Sequence, residues 1–164
     1  MQYDIRAVSP SEWQQSRDLR LTALQDSAAA VAFTRTHAEE SALTDEAWRR
    51  RAAGIGSQQF AAVHTATGQW AGMAVVVIER PDYLSVNAVY LRPEARASGL
   101  ADRLLHTATT WTWPHTDRLH LWVHEKNPRA EAFYRRLGFA RTGKTMASPI
   151  DATATEYEMV LLRG

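Results

Sequence analysis

Between Tyr83 and Leu105 the chain passes from an apolar, β-prone run into a turn of small residues and then into a helical pattern. Few folds accept that order, because it commits a strand, the helix after it and the loop joining them within one short stretch. The turn, Arg96-Ala97-Ser98-Gly99-Leu100-Ala101, sets a guanidinium, two small residues and a glycine where the next helix exposes unpaired backbone N–H groups. Amides and a positive helix end together make an anion site suited to phosphate.

The rest of the chain supplies further strands and helices. Tyr3 to Val8 alternates loosely and predicts a first strand, after which Ser9-Pro10-Ser11-Glu12 offers an N-cap, a proline for the first turn and a capping-box glutamate. Trp13, Leu21 and Leu24 give the helix that follows an apolar stripe ending near Gln25-Asp26. Ser27 to Ser41 shows no clean period. Thr44 caps a second helix, whose early Asp45 and Glu46 and late Arg49, Arg50 and Arg51 complement its dipole. Phe60–Val63 and Trp70–Glu79 are strand-like, and the loop Thr65–Gln69 between them has hairpin composition, so they are expected to pair antiparallel. After the Tyr83–Arg92 strand, the Leu100–Thr112 helix runs to Pro114. Leu119–His124 reads as a buried strand. Asn127-Pro128 opens a helix with Ala130, Phe133, Tyr134 and Leu137 on one face, and Gly138 ends it. Phe139–Lys144 and Glu156–Leu162 are the last strands. The order β-α-α-β-β-β-α-β-α-β-β predicts an α/β (α+β) fold, a mixed, mostly antiparallel sheet of six to seven strands flanked by four helices.

With 164 residues and no change of composition along the chain, residues 1–164 are expected to form a single domain. A formal net charge of +1 without a basic stripe argues against nucleic-acid or acidic-membrane partners. The chain has no cysteine, which excludes disulfides, thiolate metal sites and a cysteine acyl-enzyme. No apolar run approaches the ~18 residues of a spanning helix, and Met1 to Arg6 lacks an apolar signal core, so a cytoplasmic protein is expected. His120 and His124 share a strand face, but at ~3.3 Å per residue they stand ~13 Å apart, too far for one metal ion. No metal is assigned, and His120 reads as a satisfied core histidine. Trp111 and Trp113 read as packing at a helix end.

The segment from Asn127 through Ala130, Phe133 and Tyr134 to Gly138-Phe139 carries the pattern N-x-x-A-x-x-F-Y-x-x-x-G-F, and Arg96 to Ala101 carries R-x-x-G-x-A. In this order, with a strand between them, the two motifs resemble the signatures of the GNAT-type N-acetyltransferase superfamily, in its single-domain bacterial branch. The resemblance covers Tyr3 to Leu162. It implies an acetyl-CoA-dependent transfer to a primary amine, of a small molecule or a protein, by direct attack in a ternary complex. It also implies that backbone N–H groups of Arg96, Ala97, Ser98, Gly99, Leu100 and Ala101 hold the CoA pyrophosphate, and that Val89 and Leu91 align the thioester and pantetheine. Asn127 would bond the pantetheine arm, and the Tyr134 hydroxyl would act as general acid for the leaving thiolate. The resemblance is compatible with a homodimer. Ala97 and Ser98 depart from the family pattern. An alanine at that place is acceptable only with φ < 0, and the missing cation at Ser98 predicts weaker CoA binding.

Direct attack needs a proton acceptor, because an amine is mostly protonated at neutral pH. In many family members a glutamate on the strand before the phosphate loop fills this role. Counting back from Arg96 puts Tyr83 there with Asp82 beside it, which leaves Asp82, His124, Glu125 or a water relay. The resemblance also places the acceptor beside the segment between the first two helices, making Phe33, His37, Glu39, Glu40 and Tyr83 candidate contacts, with the carboxylates favouring a cationic amine. The alternative function is a non-catalytic acyl-CoA-binding module, suggested by the missing strand glutamate and the altered phosphate loop.

Overall fold

The computed structural model describes residues 2–164; Met1, the first residue of the expected domain, lies outside them. Seven strands form one sheet: β1 (Tyr3–Ala7), β2 (Ser57–His64), β3 (Trp70–Arg80), β4 (Tyr83–Leu91), β5 (Arg118–His124), β6 (Ala140–Ala147) and β7 (Thr155–Leu162). Their spatial order is β1-β2-β3-β4-β5-β7-β6, and every neighbouring pair is antiparallel except β4 with β5. Four longer helices are α1 (Trp13–Leu24), α4 (Asp45–Ala52), α5 (Leu100–Thr112) and α6 (Pro128–Arg136). Two short ones, α2 (Ala29–Ala32) and α3 (His37–Ser41), occupy the segment without a period and raise the helix count above the four expected. At four and five residues each, they are too short to show a repeat.

Local chemistry accounts for the helix starts. The Ser9 N–H donates to Glu12 Oε1 at 3.0 Å, and the 3-10 turn Pro10–Glu12 runs into α1. Thr44 Oγ1 accepts from the Ala47 N–H at 3.2 Å and caps α4. On β2 and β3, alternate residues serve opposite faces: Phe60, Ala74 and Val76 pack under α5 with Leu104 and Leu105, while Ala61 and Met73 meet Leu19 and Ala23 of α1. Covered on both faces, these strands read as continuous apolar runs rather than alternating ones.

Two features shape the middle of the sheet. β3 and β4 pair Met73 with Tyr90 but Val75 with Asn87, so Ala88 and Val89 together oppose Ala74 in a bulge, and Ala88 takes φ +54°. The β4–β5 pairing holds only Leu84 opposite Leu119 and Ser85 opposite His120; beyond Ser85 the strands part. Gly72 is needed beside the end of β4, since a Cβ there would meet the Tyr90 carbonyl oxygen at 2.9 Å.

Three carboxylates bind the helices to their surroundings. Glu12 takes the Arg6 guanidinium at 2.6 Å, and Glu131 of α6 takes Arg141 of β6 at 2.6 Å and Arg135 at 2.8 Å. Glu40 takes three arginines. The bonds to Arg6 and Arg141 hold Glu12 and Glu131 at about 2; at Glu40 burial works upward, but the bonds from Arg51 and Arg20 overcome it and also leave about 2. Each folded value lies below the ~4.3 of an unfolded glutamate, so each contributes stability above that value that is lost as pH falls toward 2. The urea midpoint is therefore expected to hold from pH 7 to about 5 and to fall steeply between about 4.5 and 2. A midpoint unchanged down to pH 3 would contradict this.

Candidate functional site

Where β4 and β5 part, a cavity of about 380 Å³ opens between them. Val86 to Val89 of β4, with the bulge, form one wall and Leu121 to His124 of β5 the other; Phe33, Asn127, Tyr134 and Glu156 close it. The parallel register explains the gap. A strand returning through a helix lies beside its partner at one end, and here the bulge turns the other end away.

The turn after β4 lies at the open end of that strand. Gly99 caps α5 with φ +79°, and Ala97 has φ +59°. The expected negative φ at Ala97 is thus corrected: alternating left-handed residues curl successive N–H groups toward one side, and the alanine accepts strain of ~1–2 kcal/mol to keep that shape. Among the described residues, no backbone carbonyl takes the N–H groups from Ala97 to Asp102. Leu100 is itself buried, anchoring the turn from below. Ser98 Oγ donates to the Ala95 carbonyl at 2.6 Å. The Arg96 side chain donates through Nη2 to Asp26 at 2.8 Å and through Nε to the Leu91 carbonyl at 3.1 Å, so the unpaired backbone N–H groups are the turn's main offer to an anion. Val89 lines the cavity, whereas Leu91 lies beyond it, packed over Gly72.

Asn127 caps α6, its Oδ1 accepting from the Ala130 N–H at 3.3 Å while its Nδ2 donates to the Val31 carbonyl of α2 at 3.4 Å. It pins two cavity walls together. Tyr134 lies one side of its ring against Phe133 and an edge against Phe139, with centroids 5.3 and 5.7 Å away. Burial pushes its phenol up to about 12. Among the described residues nothing hydrogen-bonds that hydroxyl.

The candidate bases fare unequally. Asp82 sits exposed in the β3–β4 turn and Tyr83, half-buried, begins β4 with its hydroxyl donating to Glu158; neither lines either cavity. Burial, then that bond, raise the Tyr83 phenol. Glu125 accepts from the Thr155 N–H at 2.8 Å and fastens the end of β5 to β7. His124 does line the cavity, but its Nδ1 accepts from the Lys126 N–H at 3.0 Å. A neutral ring then carries its proton on Nε2 and has no lone pair left for a base. Glu156 stands opposite His124 in the β5–β7 register, is 5% exposed, and lines the cavity with no hydrogen-bond partner among the described residues. Burial raises its carboxyl against the opposing pull of His124. Sequence reasoning missed it; two glutamates two residues apart in an apolar strand, Glu156 and Glu158, were the available signal. His120 also differs from expectation: it stacks on Tyr83 at 4.1 Å, but its buried Nδ1 has no partner.

Of the acceptor candidates in the helical segment, Phe33 lines the first cavity, beside its neighbours Val31, Ala32 and Thr34. His37 and Glu39 line neither cavity; Glu39 takes the Thr36 N–H at 3.0 Å in the cap of α3. Glu40 is fully buried, and its two oxygens are filled by Arg20, Arg35 and Arg51 at 2.8 to 3.2 Å, so it has no lone pair for a cationic amine. This cluster lines a second cavity of about 340 Å³, which shares Arg20, Asn87 and Ala88 with the first. No helix among the described residues is long and apolar enough to cross a membrane.

The arrangement has known counterparts. Over 73 residues, 44% of this chain, the sequence is 38% identical to the mycothiol acetyltransferase of Segniliparus rotundus, and that stretch is 26% of the relative, so the chain spans about a quarter of its length. A GNAT-family acetyltransferase from Streptococcus pneumoniae superposes with a TM-score of 0.79 at 20% identity, over 98% of this chain and 99% of that one. The spermidine N-acetyltransferase of Vibrio cholerae, solved with CoA and spermine, does so with 0.75 at 16%, over 99% and 96%. At these identities the superpositions show a shared fold. The acetyltransferase (GNAT) family model matches residues 20–139, from α1 through the phosphate-type turn to Phe139, and the chain belongs to that family.

Proposed function

We propose that this chain transfers an acetyl group from acetyl-CoA to a primary amine by direct attack in a ternary complex. The observation that carries the reading is the gap between β4 and β5, which ends at a turn of unpaired N–H groups and is walled by Tyr134, Asn127 and Glu156. A slender arm bearing amides suits the freed strand edges, and a pyrophosphate suits the turn, so the residues present fit CoA. Bound acetyl-CoA supplies the activated acyl group as a thioester. The absence of cysteine favours attack by the amine itself.

Glu156 takes the proton of the attacking ammonium. Its raised carboxyl is a stronger base than an ordinary glutamate, and its burial keeps it beside the acceptor rather than in bulk water. A backbone N–H on the cavity side of β4 faces the developing oxyanion. Tyr134, still protonated at neutral pH, holds its O–H toward the departing sulfur.

Thiol release from acetyl-CoA across a panel of amines tests the reading. Release with at least one amine is expected; tight CoA binding with no release for any amine would instead make the chain an acyl-CoA-binding module. Glu156→Gln is expected to lower kcat/KM by about 100-fold at neutral pH. The wild-type acid limb should lie above the ordinary carboxylate range and disappear in the variant. An acid limb unchanged in Glu156→Gln would assign the base elsewhere.

A further inference from the structure

The second cavity holds three guanidinium groups against one carboxylate. Glu40 Oε1 accepts from Arg20 Nε at 3.2 Å and Arg51 Nη1 at 2.8 Å; Oε2 accepts from Arg35 Nε at 3.1 Å and Arg51 Nη2 at 2.9 Å. Four donors saturate a carboxylate, so Glu40 neutralises one charge of three and has no capacity for more. No other acidic side chain lines this cavity. Arg20 has 12% of its side chain exposed, stacks on Phe33 at 4.9 Å, and carries a buried Nη1 with no partner among the described residues. Arg35 lines the cavity with its side chain 45% exposed, and Glu40 engages only its Nε, not its two terminal nitrogens. Trp48, Met73 and Val75 give the remaining walls an apolar character.

Arg35 and Arg51 keep part of their side chains in water, so the two positive charges in excess give the cavity a field that favours a small anion, and the buried Arg20 has the most to gain from one. The place of this excess identifies what it serves. Arg20, Asn87 and Ala88 line both cavities, so the arginine pocket and the β4–β5 gap meet at the bulge of β4. Glu156 and Tyr134 line the first cavity and not the second. A single small molecule placed across the bulge has one end among arginines and the other beside a carboxylate base.

We propose that the acceptor is an amine that itself bears a carboxylate, an amino-acid-type substrate whose carboxylate is read by Arg20 and Arg35. This rests on the transferase reading above and names its substrate class. It reverses the expectation of a purely cationic amine held by Glu39 and Glu40. A planar guanidinium fork matches a carboxylate in two parallel bonds, which favours the acid over its neutral amide.

The test compares the common L-amino acids with their amino-acid amides and decarboxylated amines as acceptors, reading thiol release. Carboxylate-bearing acceptors are expected to show kcat/KM higher by roughly 10- to 100-fold than their matched neutral partners. Arg35→Gln should collapse that ratio by about tenfold through KM, and Arg35→Lys, which keeps the charge, should restore part of it. Equal or better use of the amides and decarboxylated amines overturns the inference while leaving the transferase reading intact. If no acceptor releases thiol, calorimetric binding of the same amino acids still decides. Binding that needs the free carboxylate and weakens in Arg35→Gln supports the arginine site; no binding of any amino acid removes it.

Discussion

Tyr134→Phe is expected to lower turnover by roughly 10²- to 10³-fold while CoA affinity changes by less than about twofold. The ring lies between Phe133 and Phe139, so phenylalanine preserves the packing and only the hydroxyl is lost. Because no described residue hydrogen-bonds that hydroxyl, its removal leaves no orphaned partner, and the melting temperature should not move. The phenol at about 12 also refines its role. A thiolate of cysteine-like basicity, ~8.5, is the weaker base, so complete proton transfer from Tyr134 would run uphill. The gain comes from the hydrogen bond itself as charge gathers on sulfur, which is the kind of stabilisation a preorganised donor provides. Steady-state kinetics beside CoA calorimetry check this. Unchanged turnover removes Tyr134 from the mechanism, and parallel losses of turnover and CoA affinity recast it as a binding residue.

Glu40→Gln is expected to destabilise the protein by ~3–5 kcal/mol and to lower its melting temperature by roughly 10 °C or more. The glutamine keeps the shape but presents an amide NH2 group to guanidinium donors, losing about half of the acceptor capacity and all of the charge. Arg20 on α1, Arg35 before α3 and Arg51 on α4 then repel one another without a common counter-ion, Arg20 in a site where burial already lowers its pKa. Glu46→Gln is the control: that carboxylate is exposed and meets Arg50 at 3.9 Å, and it should cost less than about 0.5 kcal/mol. Urea unfolding of both variants measures the difference. A loss below about 1 kcal/mol for Glu40→Gln would mean that the arginines relax into water and that the cluster does not hold the helices together.

What could be read before the structure was what local chemistry dictates. α5 occupies the residues its apolar period and its bounding glycine and proline predict, and α6 starts on the asparagine cap and stops at Gly138. The β2 and β3 runs fell within a few residues because both faces are covered and the apolar stretches are unbroken, whereas the exposed β6 carries no such run. The site residues divide differently. Asn127 and Tyr134 lie on one short helix, so a sequence pattern can carry their relation. Glu39 and Glu40 are neighbours in sequence, yet one is an exposed cap and the other the buried centre of three arginines drawn from separate elements. The spacing Thr36-x-x-Glu39 marks the first locally as a capping box, but nothing local marks the second. Glu156 meets His124 only because β7 inserts between β5 and β6, a pairing across the chain that no spacing announces. The left-handed Ala97 escaped for another reason: residue type favours against that conformation, and the surrounding turn imposes it.

The parting of β4 from β5 also has a mechanical side. The strands β1 to β4 form one block and β5, β7 and β6 another, and within the sheet the blocks are sewn together only near Leu84 and Ser85. The seam of the sheet with the fewest paired residues therefore runs beside the cavity proposed to hold CoA. A ligand laid along that cleft behaves as an inserted strand and glues the halves, so part of its affinity reappears as cohesion of the whole sheet.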